Sequence, residues 1–270
     1  MSAKRYSILG NSVSLLVDPY RVTPDYLTYS ELIRAAGNEV WNVSRQASVV
    51  TDLYSSLEED CLTRSPDVVV LQFGIVEATS RLRGRRTAWR LSGIAWKNTV
   101  TNGGYDPPTR RVLKRVIHHL MDRWIERPLM KLGIRFRWVS LRAYETAIRD
   151  ICRAILKETV ASQIVLVGIH AARAWLERVA PGTSRAIARY NGVMESISDD
   201  FAAVAFVPVP NDPESTDGIH LSPAGHRRLA ESILSLSPDG GRPGEFTQWM
   251  DAPVYAGLVG KLYENRRKRK

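Results

Sequence analysis

The chain has 270 residues, 44% of them hydrophobic, enough to bury a sizeable core, and its two cysteines, Cys61 and Cys152, are too few and wrongly spaced for a disulfide framework or zinc site. The net charge of +10 is unevenly placed: Arg81 to Arg142 carries +13 and the tail from Lys261 carries +5, which leaves the remainder at −8. The opening MSAKRYSILG enters a strand pattern directly, with no apolar stretch long enough for a signal peptide or a membrane span, so the expected location is the cytoplasm.

In chain order, apolar runs at Ser7–Leu9, Glu39–Val43, Asp67–Phe73, Gln163–Ile169 and Ala203–Val207 read as strands. Helical patterns at Tyr29–Ala36, Val50–Leu62, Ala143–Val160, Ser184–Asp199 and Pro223–Leu236 alternate with them. The runs are continuous rather than alternating, which suits parallel strands covered on both faces. The expected architecture is a three-layer α/β/α domain around a mainly parallel five-stranded sheet, spanning residues 1–236. Cys61 and Cys152 fall in the helical segments and read as small core residues.

One interval breaks the rhythm. Residues 81–142 hold 16 Lys/Arg against Asp106, Asp122 and Glu126, and read as a basic helical insert or lid. A turn at Asn102–Pro108 leads into an amphipathic helix over about Thr109 to Glu126, with Leu113, Val116, Ile117, Leu120 and Trp124 on one face. His118 and His119 on that helix lack the acidic or cysteine partners of a metal site and read as surface groups. For the insert, a solvated lid ranks first and contact with an anionic substrate or peripheral membrane surface second. Nucleic acid, suggested by clustered charge near Trp89, Trp96, Trp124 and Trp138, ranks third. Residues 237–270 form an extension with an aromatic stretch and a basic end.

The first strand stops at Gly10-Asn11 and places Ser12 just past its end. In a parallel α/β sheet, reactive groups collect beyond the carboxyl ends of the strands. Near the other end of the chain stands Asp217-Gly218-Ile219-His220, on a loop that leads into a helix. An aspartate three residues before a histidine can hold imidazole Nδ1 and leave Nε2 facing a nucleophile, the geometry of a Ser-His-Asp triad. Either piece alone is weak; together they make Ser12, Asp217 and His220 the candidate catalytic residues.

With these blocks the sequence resembles the SGNH, or GDSL-type, hydrolase family. Gly10-Asn11-Ser12 matches the family's Gly-Asp-Ser, and Asp217-Gly218-Ile219-His220 with Gly225-His226 matches its last block. PDVVVLQFGIVEA from Pro66 matches the approach to its third, and Tyr190-Asn191 before the last strand is in its manner. The resemblance spans Tyr6 to Leu236 and implies a flavodoxin-like fold and an acyl-serine mechanism that requires no metal or organic cofactor.

The family's oxyanion hole uses the nucleophile N–H, a second-block glycine N–H and a third-block asparagine side chain. Here the second block is NVSRQAS, Asn42 to Ser48, so the resemblance makes the backbone N–H groups of Ser12 and of Ser44 or Ala47 the oxyanion candidates. In the third block Val76 occupies the asparagine position and donates nothing. Gln46, Gln72, Arg81 and Asn98 are the side chains considered as replacements.

Gly74, Glu77, Arg81, Arg85 and His170 are the substrate-binding candidates: arginines to pair with an anionic group, and His170 because it ends the strand IVLVGIH at the same rim. For Glu77 a capping role is preferred over a catalytic one, and His226, six residues after His220, reads as structural. The leading functional reading is a serine esterase or O-deacetylase acting on a small-molecule or carbohydrate ester. An acyltransferase using the same triad is the second, and a catalytically degenerate module that binds an anionic partner the third.

Overall fold

The computed structural model describes residues 3–14, 27–81, 124–125, 127–132, 136–209, 212, 215 and 219–236. The strands are β1 (Arg5–Gly10), β2 (Glu39–Asn42), β3 (Val68–Gln72), β4 (Gln163–Val167) and β5 (Val204–Val207). They form one sheet in the order β2-β1-β3-β4-β5, and all four pairings are parallel. Register is set by Tyr6 opposite both Val40 and Val68, Val68 opposite Gln163, and Ile164 opposite Val204. All five residues of β3 are buried, as a central strand covered on both faces must be.

The helices are α1 (Tyr29–Ala35), α2 (Leu57–Asp60), α3 (Ile75–Ala78), α4 (Arg127–Lys131), α5 (Leu141–Glu158), α6 (Ala174–Val179), α7 (Thr183–Asp200) and α8 (Pro223–Ser235). In α5, Tyr144, Ala147, Ile148, Ile151, Cys152 and Ile155 recur at spacings of three and four and are all buried. Cys61 and Cys152 are buried free thiols. α1 packs against α8, whereas α5 packs against α7 and the Val50–Ser55 turn.

One expected feature changes. The helix expected over Val50–Leu62 is instead two 3₁₀ turns, Val50–Ser55 and Leu62–Arg64, flanking the single α turn α2. Its apolar residues have helical spacing, but Asp52 accepts the Val49 N–H at 3.0 Å and Glu77 accepts the Val50 N–H at 2.8 Å, which fixes a tighter start. The expected basic helix at Thr109–Glu126 lies outside the described residues except for Trp124 and Ile125, both exposed. Arg81 and Phe136 close the interval through an antiparallel bridge, Arg81 N to Phe136 O at 2.9 Å and the reverse at 2.8 Å. Among the described residues no helix is long and apolar enough to cross a membrane.

His226 joins the two packed helices α1 and α8. The Tyr29 N–H opens α1 and has no acceptor within its own helix; it donates to His226 Nδ1 at 3.2 Å, and the two rings stack with centroids 5.9 Å apart. Burial pushes the His226 imidazole down to about 3. A histidine whose folded pKa is depressed takes up a proton more readily when unfolded, so its contribution to stability is lost as pH falls below about 6.5. Comparing wild type with His226→Phe by urea unfolding, the stability advantage of wild type should shrink by about 1–2 kcal/mol between pH 6.5 and pH 5. An advantage that stays constant over that window would mean that His226 is not held neutral.

Candidate active site

The site is built where β1 and β3 end side by side. Gly10 closes β1 because a Cβ there would stand 2.6 Å from Ser14 Oγ and 2.8 Å from the Gln72 carbonyl oxygen. The chain then turns into a short 3₁₀ segment, Ser12–Ser14, tied to β3 twice: the Asn11 N–H donates to Gln72 O at 3.2 Å, and Ser14 Oγ donates to Gln72 Oε1 at 2.5 Å. Tyr29 Oη donates to Ser14 Oγ at 3.0 Å, and Asn42 Nδ2 to Ser14 O at 2.8 Å. Ser12 opens the turn, so its N–H has no acceptor within it.

On this platform the structure brings Ser12 and His220 together, although 208 positions separate them: Ser12 Oγ lies 3.0 Å from His220 Nε2. Ser12 is 8% exposed and His220 is half-buried, so the pair sits at a surface rather than in a sealed core. Asp217 lies outside the described residues.

The backbone around His220 is held from several directions. His170 Nε2 is 2.7 Å from the Ile219 carbonyl oxygen, Ser215 Oγ donates to His220 O at 2.7 Å, and Arg173 donates to Ser215 O. Ser222 caps α8 by accepting the Gly225 N–H at 3.0 Å, with Pro223 in the first helical turn. The buried Asp212 in turn accepts the Ser222 N–H at 2.6 Å and its hydroxyl at 2.8 Å. A Cβ on Gly225 would meet Asp212 Oδ2 at 2.2 Å, which explains the glycine of the Gly225-His226 pair. Asn191 pairs with both backbone groups of Ile169, accepting its N–H at 2.8 Å and donating to its carbonyl at 2.9 Å, and thereby fixes the exit of β4 that carries His170.

The remaining candidates take up different places in the structure. Ser44 is not an available backbone donor, because its N–H donates to Asn42 Oδ1 at 3.1 Å. Ala47 has φ 54°, the left-handed backbone that a second-block glycine would adopt without strain. Glu77 is fully buried and faces the fold rather than a substrate: Oε1 accepts the Val50 N–H at 2.8 Å and Oε2 the Gly74 N–H at 2.9 Å. Burial pushes its carboxyl up to about 7 in spite of those donors. The Gly74 N–H is engaged by Glu77, and a Cβ on Gly74 would collide with the Ile169 side chain.

His170 is buried, and its ring braces the Ile219 backbone. The Arg81 guanidinium lies 4.2 Å from the centre of the Trp138 ring; burial lowers its pKa to about 10 while the nearby Glu77 opposes the shift. Arg85 lies outside the described residues, as do Asn98, His118 and His119. Sequence reading missed Gln72 and Ser14 as a paired support, together with Asp212 and Ser215. Only the apolar-strand-then-glutamine pattern of VVVLQ hinted at any of them, since a polar residue ending a buried strand needs a partner.

The left-handed Ala47 generates a prediction of unusual sign. An alanine in that conformation costs about 1–2 kcal/mol, part of which a glycine gives back as greater freedom of the unfolded chain. Ala47→Gly should therefore stabilise the protein by about 0.5–1 kcal/mol in urea unfolding, and destabilisation would show that Ala47 is unstrained. Asp212→Ala should act the other way, costing about 2–4 kcal/mol by leaving the Ser222 donors and Arg228 without their buried acceptor. Unchanged stability in that variant would mean that water replaces the carboxylate.

No family model matches the chain, and no curated protein sequence matches it. Among solved structures it is similar to a catalytic mutant of Axe2, an acetylxylan esterase from Geobacillus stearothermophilus. That likeness has 17% identity over 86% of this chain and 93% of the other, with a TM-score of 0.51. It is also similar to LAE5, an α/β hydrolase enzyme from the metagenome of Lake Arreo, Spain, at 16% identity over 87% of this chain and 95% of that one, with a TM-score of 0.53. At this identity the likeness shows the fold: a five-stranded, all-parallel α/β sheet flanked by helices.

Proposed function

We propose that the protein is a serine esterase of the SGNH type that removes a short acyl group, an acetyl in the first instance, from a carbohydrate or small-molecule ester. The observation that carries this reading is the 3.0 Å contact between Ser12 Oγ and His220 Nε2 beyond the carboxyl ends of β1 and β3. In the proposed reaction Ser12 Oγ bonds to the ester carbonyl carbon while its proton passes to His220 Nε2 and the carbonyl π pair moves onto oxygen. Collapse of the tetrahedral species breaks the carbon–alkoxy bond, and His220 returns the proton to the leaving alcohol. A water activated by the same imidazole then releases the acid and frees Ser12. Asp217, three residues before His220 in the chain, is proposed to hold Nδ1, on the spacing alone.

The acetylxylan ester named for one structural neighbour supports a carbohydrate acetyl ester as the first substrate to test. The Ser12 N–H, at the start of its turn, is the proposed backbone oxyanion donor. Arg81, whose Nε is buried with no hydrogen-bond partner among the described residues, is proposed to meet an anionic part of the substrate, and Arg85 is a second candidate for that role.

Intact-mass labelling with a fluorophosphonate tests the mechanism. Wild type should gain a single adduct, and Ser12→Ala and His220→Ala should gain none. Folded wild type that takes up no label would sink the esterase reading in favour of a binding role. For the anion, Arg81→Gln should raise KM for a carboxylate-bearing acetyl ester about tenfold and leave a neutral one within about twofold, a charge-assisted pair being worth about 1.5–3 kcal/mol. Equal effects on both esters would exclude a charge role.

A further inference from the structure

Asn11 stands immediately before Ser12 and is 1% exposed. Its Oδ1 accepts the Val13 N–H at 3.1 Å, which fixes the orientation of the amide, because the opposite assignment would set an NH₂ group against that N–H. Nδ2 is therefore the remaining end of the amide; it is buried and has no hydrogen-bond partner among the described residues. A buried donor left without an acceptor costs about 1–3 kcal/mol, and native proteins keep few of them.

The place of this donor matters. Asn11 and Val13 line a crevice at the carboxyl ends of the strands together with Phe73, Ile169, His170 and Leu221, the residue after His220 in the chain. Of the other polar side chains there, Gln72 Oε1 accepts from Ser14 Oγ, and the His170 ring nitrogens lie 2.7 Å from Ile219 O and 3.1 Å from Ala171 O. Of the polar side chains lining the crevice, Asn11 alone carries a buried atom without a partner, among the described residues. Val76, which is buried, has no group to donate.

We propose that Asn11 Nδ2 donates a hydrogen bond to the carbonyl oxygen of the acyl ester and strengthens it as that oxygen becomes an oxyanion. The side-chain donor of the oxyanion hole then comes from the residue before the nucleophile rather than from the loop after β3. The inference rests on the esterase reading above. Asn11 keeps its proton throughout, and the charge it meets is the electron pair displaced from the carbonyl when Ser12 Oγ adds to carbon. Because Oδ1 is anchored to the Ser12 turn itself, the donor is tied to the same short segment as the nucleophile.

The test compares wild type, Asn11→Asp and Asn11→Ala for kcat and KM on 4-nitrophenyl acetate and for the rate of fluorophosphonate labelling. Asn11→Asp keeps an acceptor for the Val13 N–H but has no donor, so a purely structural Asn11 predicts near wild-type activity for it and a defect only in Asn11→Ala. The donor role predicts that both variants lose about 10²–10³ in kcat, with KM within about threefold and labelling slowed to match. Asn11→Asp within about threefold of wild type in kcat would overturn the proposal while leaving the esterase reading in place. Wild type that neither labels nor turns over would overturn both.

Thermal unfolding checks that the variants fold. If they do not, wild type labelled with ¹⁵N-asparagine decides the matter: the Asn11 Nδ2 protons should move downfield when the phosphonyl oxygen occupies the site, and unmoved resonances would overturn the proposal.

Discussion

Gln72 holds the turn on which everything else at the site depends. Its carbonyl accepts the Asn11 N–H and its side chain accepts Ser14 Oγ, so one residue at the end of β3 grips both ends of the segment that carries Ser12. The grip is feasible only because Gly10 lets β1 and β3 approach without a Cβ between them. A hydrogen bond buried in this way is worth about 1 kcal/mol to stability, but its larger effect is on geometry, since a tight turn with no alternative partners has one orientation to offer. The parallel register, which sets Gly10 opposite Gln72, delivers the two residues to each other.

The histidine side of the site is held differently. Ser12 sits at the end of a central strand, whereas His220 lies on a loop, and loops acquire precision from side chains rather than from a ladder. Three carbonyl groups near His220, those of Ser215, Ile219 and His220 itself, are held by Arg173, His170 and Ser215. Asp212 then fixes the start of α8, and Asn191 fixes the strand exit that carries His170. The 3.0 Å approach of Nε2 to Ser12 Oγ is thus the sum of many local constraints on the backbone that carries the two side chains.

Two buried carboxylates do the work of joining segments that share no secondary structure. Glu77 links the start of α3 to the Val50–Ser55 turn through two backbone N–H groups, and Asp212 is joined to the cap of α8. Such groups are costly to bury and are retained where they satisfy several donors at once. Glu77 lies beside the buried Val76, so the loop after β3 has become a structural joint: its acid faces inward and its apolar residue has nothing to offer a substrate.

The strands were legible in the sequence because continuous Val, Ile and Leu runs such as VVVLQ have no stable fate except burial on both faces. The long helices α5, α7 and α8 were legible because their apolar residues recur at three and four with serine or proline signals near their starts. Ser12 and His220 could be singled out as candidates too, because their positions after a strand and before a helix are local features. The short turns at Val50–Arg64 were not, since a helical apolar spacing was overridden by acceptors brought from Asp52 and Glu77. Nor were the roles of Gln72, His170, Asn191 and Asp212, whose partners come from other elements. Composition and periodicity decide which segments must be buried and in what form. Which polar group meets which donor is decided only when the sheet closes, because that pairing is a property of strand register and loop path rather than of neighbours along the chain.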